Sequence, residues 1–312
     1  MANRVVLALG GNALGQTPQE QIELIKGTAS AIVDLIENGH EVVVTHGNGP
    51  QVGTIKVAFD NSHKAVGNTP HMPFPEVSAM SQGYIGYHLQ QALENEMRKR
   101  SVDRPCACII TQTLVDKNDS AFDHPTKPVG GFVSEAEART IMAETDHHFV
   151  EDSGRGWRWV VASPKPLEIV EGSLIANLVE SQYIVISTGG GGVPVVEEDG
   201  NLVGVPAVVD KDRSAGILSD QIHADRLLIL TAIDNVAINF NTPQQKNLSE
   251  MTVAEARTYI DDGQFAPGSM LPKVEACVDF VDGHPERVAI ISSLKDAAAS
   301  LDGAAGTRIV AS

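Results

Sequence analysis

The chain has 312 residues, 42% hydrophobic and 20% charged, a globular balance that excludes a disordered chain and suits one large domain or two ordinary ones. Lys and Arg number 23 against 40 Asp and Glu, a formal net charge of −17. That charge argues against broad nucleic-acid binding but leaves room for a local basic pocket. No apolar run reaches the ~20 residues of a bilayer-spanning helix, and no signal-peptide pattern opens the chain. Three sparse cysteines, Cys106, Cys108 and Cys277, fit a reducing compartment, so a cytoplasmic protein with neither nucleic-acid nor membrane partner is expected.

The first strand is predicted at Val5-Val6-Leu7-Ala8-Leu9, an apolar run of the kind buried on both faces. A helix over 21–38 follows, with Ile22, Ile25, Ala29, Ile32, Leu35 and Ile36 on one face and Gly39 as its stop. Next come a strand over 41–45, a helix over 81–100 and a strand over 106–110. From about 116 to 166 the rhythm breaks into His, Pro, Gly and charge and holds both tryptophans, Trp157 and Trp159, so an inserted subdomain or lid is expected. Strands resume over 183–187. Asp199-Gly200 between apolar runs predicts a hairpin. Further strands are predicted over 227–230 and 288–291. Ser134-x-x-Glu137 and Thr252-x-x-Glu255 have capping-box spacing, and Pro272 suits a first helical position. Strands alternating with helices predict an α/β fold with a doubly wound, mainly parallel sheet. The sheet is expected to divide near residue 190 into two halves with a cleft between them.

Three glycine loops follow predicted strands directly: Gly10-Gly11-Asn12-Ala13-Leu14-Gly15, Gly47-Asn48-Gly49-Pro50 and Gly189-Gly190-Gly191-Gly192. Ligands of open α/β sheets lie beyond the carboxyl ends of strands, so the three loops should face one crevice. Their N–H groups would form a nest for an anion. None ends in the Gly-Lys-Ser/Thr of a Walker loop. The nearest approach to G-x-G-x-x-G, at 47–53, has a gap one residue too long and a proline in its turn.

An acidic protein that binds phosphate must place its few cations deliberately. Lys127 sits in Pro125-Thr126-Lys127-Pro128, Lys211 between Asp210 and Asp212, and Lys273 just after Pro272. A lysine in a helix's first turn is unfavourable unless an anion is there. Such equipment suits phosphoryl transfer, which runs on positioning and electrostatic stabilisation. Neither a serine-hydrolase elbow nor H-E-x-x-H is present. Asp212 is open to two readings, a holder of Lys211 or a helix cap.

The chain resembles the carbamate kinases of the amino-acid-kinase superfamily along essentially its whole length. The resemblance is carried by Leu-Gly-Gly-Asn-Ala-Leu-Gly at 9–15, Thr-His-Gly-Asn-Gly-Pro-Gln-Val-Gly at 45–53 and Met-Ser-Gln-Gly-Tyr-Ile-Gly-Tyr at 80–87. It continues through His124-Pro125-Thr126-Lys127-Pro128, Gly154-Arg155-Gly156, Gly189-Gly190-Gly191-Gly192, Asp210-Lys211-Asp212 and Phe265-Ala266-Pro267-Gly268-Ser269-Met270-Leu271-Pro272-Lys273. Superfamily relatives with a lysine two residues before the first Gly-Gly differ here, because that position is Ala8. Arg158-Trp159, Gly216 and Val77-Ser78 depart from the family's frequent residues.

The resemblance implies a three-layer αβα sandwich around a mainly parallel open sheet with a small protruding subdomain. It implies reversible phosphoryl transfer between ATP and carbamate giving ADP and carbamoyl phosphate, ATP-forming in arginine or purine/allantoin-type catabolism. It further implies Mg²⁺ carried by ATP/ADP without direct protein ligands, though with a water contact to Asp212, and a homodimer. Residues 1–190, with the lid, would bind the acceptor, and 191–312 the nucleotide. Lys127, Lys211, Lys273 and Asp212 would be catalytic. Carbamate and the phosphoryl group would meet Gly10, Gly11, Asn12, Gly47, Asn48, Gly49, Arg155, Gly190 and Gly191. The nucleotide would meet Asp210, Thr231, Ala232, Ile233, Val236, Gly268, Met270 and Pro272. Two alternatives stay open: a kinase of another small carboxylate, and a non-catalytic nucleotide-binding regulatory relative.

Overall fold

Continuous apolar runs become the strands of one eight-stranded sheet in a computed structural model that describes residues 3–11, 14–15, 17–67, 69–145, 147–152 and 154–312. The strand order is Glu250–Thr252, Thr307–Val310, Val288–Ser293, Arg226–Thr231, Arg4–Leu9, Glu41–His46, Ile184–Ile186 and Cys106–Cys108. Every neighbouring pair is parallel except Val288–Ser293 with Thr307–Val310. The sheet is continuous, with the strands from after residue 190 on one side of it and those from before residue 190 on the other. Arg226–Thr231 pairs with Arg4–Leu9 along five registered positions, so strands from both parts of the chain share one hydrogen-bonded layer.

Alternating side chains feed two cores. Val6, Ala8, Val43 and Leu227 face one side, against the helices Gly172–Glu180, Lys211–Gln221, Val253–Asp261 and Leu271–Val281. Val5, Leu7, Val42 and Val44 face the other, against Pro18–Glu37 and Phe74–Arg100. The result is the three-layer αβα arrangement. Both capping boxes form as their spacing predicts, and the Asp199-Gly200 hairpin joins Val193–Glu198 to Asn201–Gly204. Helix Pro18–Glu37 buries Gln21 where Ile22 was expected, and Ile22 is exposed. Gln21 is tolerated there because its amide donates to the Leu14 carbonyl and its oxygen meets His88. The third predicted strand stops at Cys108, short of Ile110.

The irregular stretch forms its own three-stranded antiparallel sheet from Lys127–Val133, Trp157–Val161 and His148–Glu151, beside the helix Glu135–Glu144. Its flanks, Gln112–Val115 and Pro166–Ile169, join a second sheet with Val193–Glu198 and Asn201–Gly204. This lid sheet rests on the helix Gln51–Val66. A Cβ on Gly53 would lie 2.5 Å from the Gly130 Cα, so only glycine lets the two backbones approach this closely. Val52, Phe74, Val77, Val129 and Val161 seal the contact. Lys127, at the start of the lid's first strand, is thereby held over the carboxyl ends of the main strands.

Candidate functional site

Two helices begin at the carboxyl end of the main sheet and carry most of the site's charge. Asp210 caps Lys211–Gln221, its Oδ1 accepting from the Asp212 and Arg213 amides at 3.0 and 3.4 Å. The same carboxylate accepts from Lys127 Nζ at 2.6 Å through Oδ2. One residue on, Asp212 is almost fully buried and clamps two lysines, Lys211 Nζ at 2.5 Å on Oδ1 and Lys273 Nζ at 2.7 Å on Oδ2. Asp212 is therefore the holder of both helix-borne ammonium groups, while Asp210 does the capping. Lys273 lies in the first turn of Leu271–Val281, and the Asp212 carboxylate supplies the anion that position calls for.

These charges line a cavity of about 370 Å³ together with Gly47, Asn48, Gly49, Gly190, Arg158 and Gly268. Three ammonium groups and a guanidinium face two carboxylates there, which leaves a surplus of two positive charges in a protein that is acidic overall. Burial would raise the Asp210 pKa, but the Lys127 ammonium prevails and holds the carboxyl well below the usual range. Burial pushes the Lys211 ammonium down from its ordinary value. Asp212 opposes that shift and Lys273 adds to it. An arriving phosphate would stabilise all of these cations.

The glycine loops supply the cavity's other wall. Gly190 has φ of 67°, and a Cβ there would fall 1.6 Å from Asn48 Oδ1. Asn48 Nδ2 in turn lies 3.5 Å from the Gly190 carbonyl. The Ser81 hydroxyl is shared between Asn48 Oδ1 at 3.0 Å and the Ser78 carbonyl at 2.8 Å. Gln82 exchanges two hydrogen bonds with the Thr111 backbone. The segment at 80–87 thus fixes the Asn48 side chain from behind.

A second cavity of about 550 Å³ is lined by Thr231, Ala232, Ile233, Phe265 and Met270, with Phe240 at its edge. It meets the first at Ser269 and Lys273, which line both. A flat apolar group in one and a chain of phosphates in the other would share Lys273.

Not every expected residue reaches these cavities. The Gly10 N–H donates to the Leu230 carbonyl at 2.9 Å and the Gly191 N–H to the Thr188 carbonyl at 3.0 Å, so neither amide is free for an anion. Gly11 lies outside the cavity lining, and Asn12 falls outside the described residues. Arg155 pairs with Asp152 at 2.9 Å and lies over the Phe132 ring in the turn before Trp157–Val161, away from both cavities. Val236 is wholly buried in the core beneath the second cavity, and Pro272 lines neither cavity. Asp210 and Gly268 sit in the charged cavity rather than the apolar one.

Sequence reasoning missed Arg158 and Ser269. Arg158 reaches the cavity from the lid and donates to the Gly130 carbonyl at 3.0 Å. Its signal was the alternation Trp157-Arg158-Trp159, which puts the arginine on the opposite face of the strand from both rings.

The two carboxylates of this cavity are engaged by its lysines. Both Asp212 oxygens and both Asp210 oxygens already accept hydrogen bonds, and no cluster of metal-ligating side chains exists among the described residues. Asp210 and Asp212 are the carboxylates of this cavity that a metal borne by nucleotide phosphates would meet.

An open, mostly parallel sheet whose strand ends hold glycine loops and converging lysines defines a phosphate-handling α/β protein. Residues 3–292 match the amino acid kinase family, and the chain belongs to that family, within its carbamate kinase branch. The carbamate kinase of Clostridium perfringens is 51% identical over 98% of this chain and 99% of its own length. That of Staphylococcus haemolyticus is 50% identical over 98% and 99%. The structure of the carbamate kinase from Giardia lamblia bound to AMP-PNP superposes with a TM-score of 0.92, at 42% identity, covering 100% of this chain and 99% of that one.

Proposed function

We propose that this protein transfers a phosphoryl group reversibly between ATP and carbamate, with ADP and carbamoyl phosphate on the other side. The single observation that carries this is the convergence of Lys127, Lys211 and Lys273 from three separate segments on one cavity beside the Gly47–Gly49 loop. The kinship with carbamate kinases supports carbamate as the acceptor, and so does Ala8 in place of a lysine under the first glycine loop.

In this scheme the adenine enters the cavity lined by Thr231, Ala232, Ile233 and Met270, and the phosphates run past Lys273 toward the loops. Residues 1–190 serve the acceptor and 191–312 the nucleotide, as the sequence suggested. Incoming phosphate oxygens take over the bonds that Asp212 makes to Lys211 and Lys273, and the transferring group takes Lys127 from Asp210. Magnesium carried on the nucleotide would neutralise part of the phosphate charge beside Lys211 and Lys273. Carbamate is already anionic and needs no base to attack phosphorus. His46, at the end of the strand before the Gly47 loop, is held neutral by burial, which pushes its pKa down to about 4. Electrostatic stabilisation of the equatorial oxygens carries the rate. A homodimer belongs to the same proposal.

The experiment is ATP formation from ADP, carbamoyl phosphate and magnesium by the purified protein, alongside acetylglutamate and amino-acid acceptors in the forward direction. Turnover confined to carbamoyl phosphate is the expected result. Preference for another carboxylate, or nucleotide binding without turnover, would overturn it.

A further inference from the structure

We propose that His46 is a positioning residue for the acceptor end of the site, whose hydrogen bond to the Gly47 carbonyl aims the Asn48 amide N–H at the acceptor and its phosphoryl group. This deepens the phosphotransfer proposal and rests on it. His46 ends the strand Glu41–His46 and is 1% exposed. Its Nδ1 lies 2.8 Å from the Gly47 carbonyl oxygen. A carbonyl only accepts, so Nδ1 carries the proton and Nε2 is bare.

Every peptide bond of the described chain is trans, so the C=O and N–H of the Gly47–Asn48 unit point in opposite directions. Holding that oxygen against the imidazole turns the Asn48 N–H away from the ring, and Gly47, Asn48 and Gly49 all line the cavity. Among the described residues no acceptor takes that N–H.

The far edge of the ring fixes the second loop. A Cβ on Gly189 would lie 2.5 Å from His46 Nε2 and 2.7 Å from Cε1. The ring therefore fills the place of a side chain there and wedges between two glycine loops at the ends of adjacent parallel strands. Burial keeps the ring neutral, opposed by the bond to Gly47 and helped by the nearby Lys211 ammonium. The Asn48 side chain is held separately by Ser81, so the His46 contact acts on the main chain.

The test compares wild type, His46→Leu and His46→Asn, whose amide can donate where Nδ1 did. His46→Leu should raise the carbamoyl phosphate KM by roughly three- to tenfold, the worth of one neutral hydrogen bond, with the ADP KM little changed. His46→Asn should recover most of the loss at a matched melting temperature. Equal rises in both KM values, or an Asn variant no better than Leu, would overturn the proposal. Nitrogen-15 spectra of the wild-type ring give an arm independent of turnover and of whether the variants fold. A neutral ring protonated at Nδ1 is expected, and an Nε2–H tautomer refutes the strut even in an inactive protein. A wild type with no turnover would instead sink the phosphotransfer proposal.

Discussion

Lys127 and Asp210 are 83 residues apart in the chain and meet at 2.6 Å. One belongs to the lid sheet and the other caps the helix that carries Lys211 and Asp212. The ion pair ties the inserted subdomain to the start of that helix and sets Lys127 on the lining of the charged cavity.

Lys127→Ala should lower turnover by ~10²–10³-fold, the usual loss for one electrostatic donor in a reacting site, while ADP affinity changes little. Steady-state rates with carbamoyl phosphate and calorimetric ADP titration measure the two effects separately. Near-normal turnover would remove Lys127 from the chemistry.

Lys273→Ala should weaken both. This lysine lines the charged and the apolar cavities alike, and a charged hydrogen bond is worth ~1.5–3 kcal/mol. ADP should bind ~10–100-fold more weakly and turnover should fall as well. Unchanged ADP affinity would detach the apolar cavity from nucleotide binding.

Acid should destabilise the fold through His46. Its pKa falls from an ordinary ~6.5 in the unfolded chain to about 4 in the folded one. The unfolded state therefore binds the proton first. The neutral ring's contribution is complete above the unfolded value and is lost as the pH drops through the folded one. Across that window the slope is ~1.4 kcal/mol per pH unit. Melting temperatures followed from neutral pH downward should show a slope that His46→Asn removes. A variant with the wild-type slope would assign the acid sensitivity elsewhere.

The thiols should be inert. Cys277 is fully buried, and burial raises its pKa well above the ordinary value. Burial is also the main cause that pushes Cys106 up to about 12 and Cys108 to about 11. Iodoacetamide at neutral pH should leave the native protein active and unlabelled, with all three cysteines alkylated only after unfolding. Rapid loss of activity would show a reactive thiol at the site.

Local signals carried well from sequence to structure. Continuous apolar runs became strands, Ser134 and Thr252 open helices, and the three lysines in Gly/Pro-rich or helix-opening settings line one cavity. What failed depends on neighbours distant in the chain. Nothing near Gly10 announces that its N–H is already bonded, because the partner is the distant Leu230; Gly191 is the local exception, tied to Thr188 within its own loop. Arg155 and Arg158 look alike in sequence, yet one sits in a turn over Phe132 and the other in a strand whose alternation points it inward. Val236 reads as a pocket wall until Thr307 and Leu248 are seen to bond its backbone from both sides.

The continuous eight-stranded sheet makes the two parts of the polypeptide mutually dependent. Severed near residue 190, the first fragment would present the open edge of Arg4–Leu9 and the second that of Arg226–Thr231, each buried on both faces in the intact molecule. Neither piece would stay soluble alone. Produced together, they should find each other along that seam, so a nicked polypeptide can remain assembled and withstand gel filtration as one particle.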